Sequence, residues 1–307
     1  MPPLTQITLA DLKQQADRLP KMPEVALQLN RLLHNPKASA ESIGNVLRLD
    51  SSMTAEVLRL CNSAAYGLKR RILTVKEAVA MLGTNAIVSM VYAILAKSTL
   101  DKPVKGYGLE AGQLFKSGLT GAVYAKYIAK KLKTPVDGEL AFTGAILRDI
   151  GKLLLSDFVG DHYPVIEALA QRDGIGFAEA EKAVLGLSHI EAGHYLAKLW
   201  ELPDPLVKCV RYKNQPSTLP KTDPFYRDTF PLVTSVHLAD LFTKMAGVGI
   251  GVDGLMVVPD AAAVELLPVL AEDMGADHVM ADLFALQPTI DEMLDSITKA
   301  TSGEGDV

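Results

Sequence analysis

Apolar residues along this chain recur at three- and four-residue spacing almost throughout, and alternating runs of β-branched residues are scarce. That period lays an apolar stripe along one face of a helix, whereas a half-buried strand needs a period of two. The expected fold is therefore all-α, with well over half of the residues helical and no internal repeat. Apolar side chains make up 49% of the 307 residues and charged ones 22%, enough to close a sizeable core around many helices.

Start and stop signals place the helices. Pro23 suits a first turn and opens "PEVALQLNRLLHNP", which should close at Asn35-Pro36. Ser51-Ser52 precede Met53, Val57, Leu60, Cys61 and Ala64 at helical spacing. Thr74-x-x-Glu77 is a capping box, in which two side chains satisfy each other's backbone N–H groups, and Gly83 should end the helix it starts. The next helix carries Ile87, Met90, Val91, Ile94 and Leu95 on one stripe. The pattern breaks around 101–108, where the chain divides into an N-terminal helical subdomain (1–103) and a larger bundle (104–300). Further helices are expected over 114–132, 139–159, 232–245, 261–270 and 288–300. Ser188-x-x-Glu191 opens another, and Asp204-Pro205 caps "PLVKCVRY". The tail 301–307 reads as disordered.

Several function classes fall away at this level. A net charge of −5 provides no global field for nucleic acid or an anionic membrane. Lys69-Arg70-Arg71 is a local basic run, read first as a solvated turn and otherwise as a phosphate-binding patch. Gly249-x-Gly251-x-x-Gly254 matches a dinucleotide fingerprint by letter. A helix precedes it instead of a strand, so no helix N-terminus would face a pyrophosphate, and a flexible inter-helix loop is expected. Cys61 and Cys209 lack metal-type spacing and read as small buried hydrophobes in a reducing compartment. The N-terminus has no signal-peptide pattern, and the apolar stretch 86–96 is about half the roughly 20 residues that span a bilayer. The expected location is cytoplasmic.

Leu19-Pro20-x-x-Pro23, Asp50 ahead of a helix, Leu58-Arg59-Leu60-Cys61-Asn62-Ser63 and Ala78-Val-Ala-Met-Leu-Gly83 together resemble the HDOD family, the HD-related output domains of bacterial signalling proteins. The resemblance continues through "LRDIGKLLL", "SHIEAGHYLAKLWELP" and Arg211-Tyr212, covering about residues 15–215, with a weaker extension through "VHLADLF". It implies a multi-helix HD-like bundle with an additional N-terminal helical subdomain, the C-terminal helices occupying 225–300.

HDOD domains are similar to HD phosphohydrolases, whose site joins a His, an adjacent His-Asp pair and a distant Asp. Neutral imidazoles and carboxylates there hold divalent cations that polarise a phosphate and activate water. The HD-GYP branch, which hydrolyses a cyclic dinucleotide, adds further histidines. Carried onto this chain by resemblance, the first His falls at Ser117 or its neighbour Lys116, and the His of the pair is Arg148. Its Asp is kept as Asp149, the helix-start His of the HD-GYP pattern as His189, and the last Asp as Asp240. The His-His step has become Lys213-Asn214.

A guanidinium has no lone pair to give a metal and stays charged at any working pH. Arg148 is thus expected to take the place of the cation, bonding Asp149 or Asp240. No catalytic residue and no cofactor are expected; a divalent ion, if held at all, would use Asp149, His189 and Asp240. These same groups also read as a hydrogen-bonded structural network or as a ligand-dependent switch. His194 and His237 read as ordinary core or surface histidines. Asn62-Ser63 reads as a helix-end motif bonding nearby backbone, or as part of an interaction loop with Tyr66, Arg70 and Arg71.

Three functions follow from the resemblance. The first is a non-catalytic output or adaptor module contacting signalling proteins such as sensor kinases or cyclic-dinucleotide enzymes, without DNA or membrane insertion. The second is an anion- or nucleotide-binding sensor lined by Arg148, Lys213 and His189. The third is a divergent metal-dependent phosphohydrolase.

Overall fold

The capping residues act as their spacing implies. The Thr74 Oγ1 accepts from the Glu77 N–H at 3.1 Å while Glu77 accepts from the Thr74 N–H at 3.3 Å, and the helix ends on Gly83 at φ 87°. The structure, a computed structural model, describes residues 6–33, 39–132, 136–254, 258–265 and 276–302. In chain order the helices are α1 (Leu9–Ala16), α2 (Glu24–Leu33), α3 (Ala40–Leu47), α4 (Ser51–Cys61), α5 (Val75–Leu82) and α6 (Thr84–Leu100). Then come α7 (Gln113–Lys131), α8 (Gly138–Ile146), α9 (Lys152–Asp173), α10 (Phe177–Leu185), α11 (His189–Leu199) and α12 (Asp204–Tyr212). The last are α13 (Tyr226–Met245), α14 (Ala261–Val264), α15 (Ala276–Phe284) and α16 (Gln287–Ser302). The described residues contain one isolated antiparallel bridge, Val104 to Leu109, and no named strand. The fold is all-α.

Three expectations need adjustment. The segment 139–159 is two helices, because the backbone turns at 147–151. Gly151 lies at that turn against the end of α11: a Cβ there would sit 1.8 Å from the His189 carbonyl oxygen. Helix α13 begins six residues before the expected Leu232 and carries Pro231 inside it. Helix α16 runs through Thr301 and Ser302, so the tail starts later than 301; residues 303–307 lie outside the described residues. So do the expected stop at Asn35-Pro36 and residues 266–270 of the helix expected over 261–270.

Helix α6 is buried on every side, with Ile87, Val91, Ala93 and Ile94 each at most 3% exposed, as suits an interior helix. It packs on α8, and α7 packs on α8 and α13. Helix α16 returns from the end of the chain onto α4 and α6. Consequently one apolar core runs from Ile7 to Ile297, across the pattern break around 101–108. Fully burying one Leu or Ile in such a core contributes about 1.5–3 kcal/mol. Among the described residues no single helix is long and apolar enough to cross a membrane.

Candidate functional site

The turn between α8 and α9 carries Arg148 and Asp149 into the space between α7, α12 and α13. Arg148 is 1% exposed. Its Nε donates to Asp240 Oδ1 at 2.7 Å, its Nη1 to the Ala145 carbonyl at 2.9 Å, and its Nη2 to Ser117 Oγ at 2.9 Å and the Ser117 carbonyl at 3.1 Å. Room for the guanidinium comes from Gly121, where a Cβ would lie 2.4 Å from Nη1. Ser117 faces inward, and its neighbour Lys116 is exposed.

Three ammonium groups complete the arrangement. Lys213, which ends α12, lies 3.0 Å from Asp149 Oδ1 and 3.9 Å from Asp240 Oδ2. The closer contact is ionic, since Asp149 Oδ1 has no aligned hydrogen-bond donor. Lys244, one turn beyond Asp240 on α13, donates to Asp240 Oδ2 at 2.9 Å. Lys152, at the start of α9, pairs with Asp253 at 2.8 Å and lies 3.7 Å from Asp149. Beside them His189 Nδ1 is 2.7 Å from Glu181 Oε2, which also accepts the His189 backbone N–H at 2.9 Å. Tyr107 donates to the other Glu181 oxygen at 2.5 Å.

Three buried cations (Arg148, Lys152, Lys213) and the half-buried Lys244 thus meet three buried carboxylates (Asp149, Asp240, Asp253), with the His189–Glu181 pair beside them. Burial by itself would raise the carboxyl pKa values. Lys152, Lys213 and Arg148 around Asp149, and Lys244, Arg148 and Lys213 around Asp240, outweigh it and hold both below the ordinary range. Asp253 is lowered against the same burial penalty, chiefly by Lys152. Burial pushes Arg148 and Lys152 the other way, and the carboxylates beside them restore and strengthen their charge.

The remaining expected positions separate. Asn214 stays at the rim, half-buried, on a groove of about 420 Å³ with His189, Arg211, Lys244 and Asp253. Arg148 and Lys213 do not line that groove. His237 is buried on the far side of Lys213, with Nδ1 2.6 Å from the Lys213 carbonyl and Nε2 accepting the Asp260 N–H at 3.1 Å. Those partners define the neutral tautomer protonated at Nδ1, and burial lowers the pKa. His194 is half-buried on α11, with its Nδ1 unpartnered among the described residues. Both cysteines are buried free thiols pushed up to about 12 by desolvation.

The sequence reading missed Lys152, Lys244, Glu181 and Asp253. Asp253 sits inside the glycine-rich letters set aside as a flexible loop. That loop is docked: the Val252 N–H donates to the Tyr107 carbonyl at 2.9 Å, and a Cβ on Gly251 would lie 2.3 Å from the same oxygen. The glycines permit close packing, and no dinucleotide geometry exists there. The spacing signals available were Asp149-x-x-Lys152 and Asp240-x-x-x-Lys244, which place opposite charges one turn apart.

The HDOD domain model matches residues 19–216 of this sequence. The chain belongs to the HDOD family. Among HDOD and related structures, it is similar to a candidate phosphohydrolase from Shewanella amazonensis SB2B, at 24% identity and TM-score 0.65, covering 94% of this chain and 98% of that one. It is similar as well to an HDOD domain protein of unknown function from Geobacter sulfurreducens, at 22% identity and TM-score 0.65, covering 95% and 98%. A candidate signal transduction protein from Marinobacter aquaeolei VT8 gives 19% identity and TM-score 0.67, covering 94% and 65%. At these identities the likeness establishes a shared HDOD-type helical fold. An uncharacterised protein of Treponema pallidum is 22% identical over 232 residues, which span 76% of this chain and 43% of that one.

HD enzymes hold their metal on histidines and carboxylates, and the donor set here does not fit one. No group of three or more His, Cys, Asp or Glu residues poised for a metal occurs among the described residues. Asp149 and Asp240 are engaged by Arg148, Lys213 and Lys244 instead. A singly charged ion about 4 Å from a fixed cation is opposed by roughly 4 kcal/mol at an effective dielectric near 20, and a divalent ion by more.

Proposed function

We propose that this HDOD chain is a non-catalytic signalling module that acts through protein contacts, its HD-type centre closed by ion pairs between side chains. One observation carries the reading: the Arg148 guanidinium bonds Asp240, Ser117 and two backbone carbonyls where a relative of the enzyme type needs a ligand lone pair. Lys213 adds a second fixed charge in the position of a lost histidine step. The cluster ties α7, the α8–α9 turn, α12 and α13 together. Such buried pairs contribute little net stability over an apolar core, yet they specify how the helices meet.

Metal analysis and a phosphodiesterase assay on the same purified sample test this. The expected result is no stoichiometric metal and no turnover of nucleotides or cyclic dinucleotides with Mn²⁺ or Mg²⁺. A chelator-removable transition metal with hydrolysis that depends on it would overturn the reading. For the contact role, a pull-down from the native cell should recover a specific signalling protein, and recovery of none counts against it.

A further inference from the structure

The helix end at Asn62 leads into a basic loop that the closed centre does not use. Asn62 clamps this loop: its Oδ1 accepts the Ile72 N–H at 2.6 Å, and its Nδ2 donates to the Ile72 carbonyl at 2.8 Å and the Leu58 carbonyl at 2.7 Å. Gly67 turns the backbone at φ 58°, and the Ala64 N–H donates to Glu292 on α16 at 2.5 Å. The loop is therefore fixed at its neck and against the last helix. Between it, α4 and α16 lies an open groove of about 770 Å³.

Five cationic side chains line this groove, Arg59, Lys69, Arg70, Arg71 and Lys299, against a single carboxylate, Asp295. Arg70 pairs with Glu77 at 3.3 Å and Lys299 with Asp295 at 2.6 Å. Arg59, Lys69 and Arg71 are exposed and make no ion pair among the described residues. This concentration stands out on a chain whose net charge is −5. The walls are apolar, formed by Leu58, Leu68 and Leu73, the last 70% exposed.

We propose that this groove is the docking site for an acidic, partly apolar polypeptide segment of a partner protein. Charge complementarity selects the acidic character, and an exposed leucine beside unpaired arginines suits a segment that alternates carboxylates with an apolar anchor. A nucleic acid or membrane surface would extend past the patch onto the acidic remainder of the chain, whereas a short segment meets only the patch. The proposal rests on the protein-contact reading above and names the surface it would use.

The test uses the full chain and a fluorescein-labelled peptide of roughly 12 residues, rich in Glu with two Leu, followed by anisotropy. Binding is expected, with affinity falling about tenfold or more between about 0.05 and 0.5 M salt, and by a similar factor in the Arg59→Gln/Arg71→Gln variant. The matching Lys-rich peptide should not bind. Both substitutions are on exposed side chains, and an unchanged melting temperature verifies the fold. No binding of the acidic peptide, or equal binding by the variant, overturns the proposal. Tighter binding of a single-stranded oligonucleotide or of anionic vesicles, lost in the same variant, overturns the polypeptide assignment. The metal and phosphodiesterase result leaves the groove untouched, so failure of the closed-centre reading and failure of this one are separable.

Discussion

Two groups of positive charge in this molecule obey opposite rules. Around Arg148 the cations are buried, apart from the half-buried Lys244, and every one lies within 4 Å of a carboxylate. Around Arg71 they stand exposed and outnumber their partners. Low dielectric explains the first: an unpaired charge inside costs several kcal/mol, so burial enforces closure. Water and salt explain the second, because an exposed charge is solvated at little cost and stays available to a partner. A closed set can hold helices together, and an open set can recognise something else.

Removing one member of the closed set should give the largest effect. Arg148→Ala leaves Asp240 and Asp149 facing fewer cations and strands Ser117, and should cost about 3–5 kcal/mol in urea or guanidinium unfolding. A loss below about 1 kcal/mol would mean that the centre is water-filled and the contrast false. Arg148→His, which restores the letters of the enzyme pair, should be destabilised too and gain neither metal nor hydrolysis.

Acid titration sharpens the same contrast. Asp149, Asp240 and Asp253 titrate below their usual range in the folded state. Their stabilisation is therefore complete above about pH 3.9, the unfolded value, and disappears as pH falls from there toward the folded values. His237 is lowered as well, so its neutral form adds stability above about pH 6.5, which is lost as pH falls below that point. Denaturant midpoints should decline gently below about pH 6.5 and steeply below about pH 4. A flat profile down to about pH 3 would contradict the buried carboxylates.

Asn62→Ala should cost about 1–3 kcal/mol, because it removes the side chain that pairs with both the Ile72 N–H and the Ile72 carbonyl. It should also weaken acidic-peptide binding by loosening the loop that carries Arg70 and Arg71. The smallest effect belongs to the open set: Arg71→Gln should move stability by less than about 0.5 kcal/mol in thermal melts, while affinity for the acidic peptide falls. A large loss of stability there would show that Arg71 is structural.

Much of the helical architecture was legible beforehand because it rests on local chemistry. Thr74 with Glu77 closes its capping box as spaced, and Glu191 accepts the Ser188 N–H as the second box requires. The stripe expected on α6 is buried apart from the half-buried Leu95, but so are the helix's other faces, which its period did not foretell. The break at 147–151 was hidden, since no proline marks it and the apolar pattern runs through; the close approach of Gly151 to α11 imposes it. The positions of Arg148, Asp149 and Asp240 were legible through family resemblance, and Arg148 does bond Asp240. Lys213 was placed there by the same resemblance, and Lys244 stands one turn beyond Asp240. The pairing of Lys152 with Asp253 and of Lys213 with Asp149 could not be foreseen, because each joins residues far apart in the chain.

Sequence alone determined that this chain is helical, where most helices begin, and that a permanently charged arginine precedes Asp149. Those features depend on backbone periodicity, on hydrogen bonds spanning three or four residues, and on the chemistry of one side chain. Tertiary structure alone decided which carboxylate each cation meets, that the glycine-rich loop is docked, and that Arg59 and Lys299 share a groove with Lys69, Arg70 and Arg71. Coulombic pairing depends on distance in space, and the folded core is what converts separation along the chain into contact.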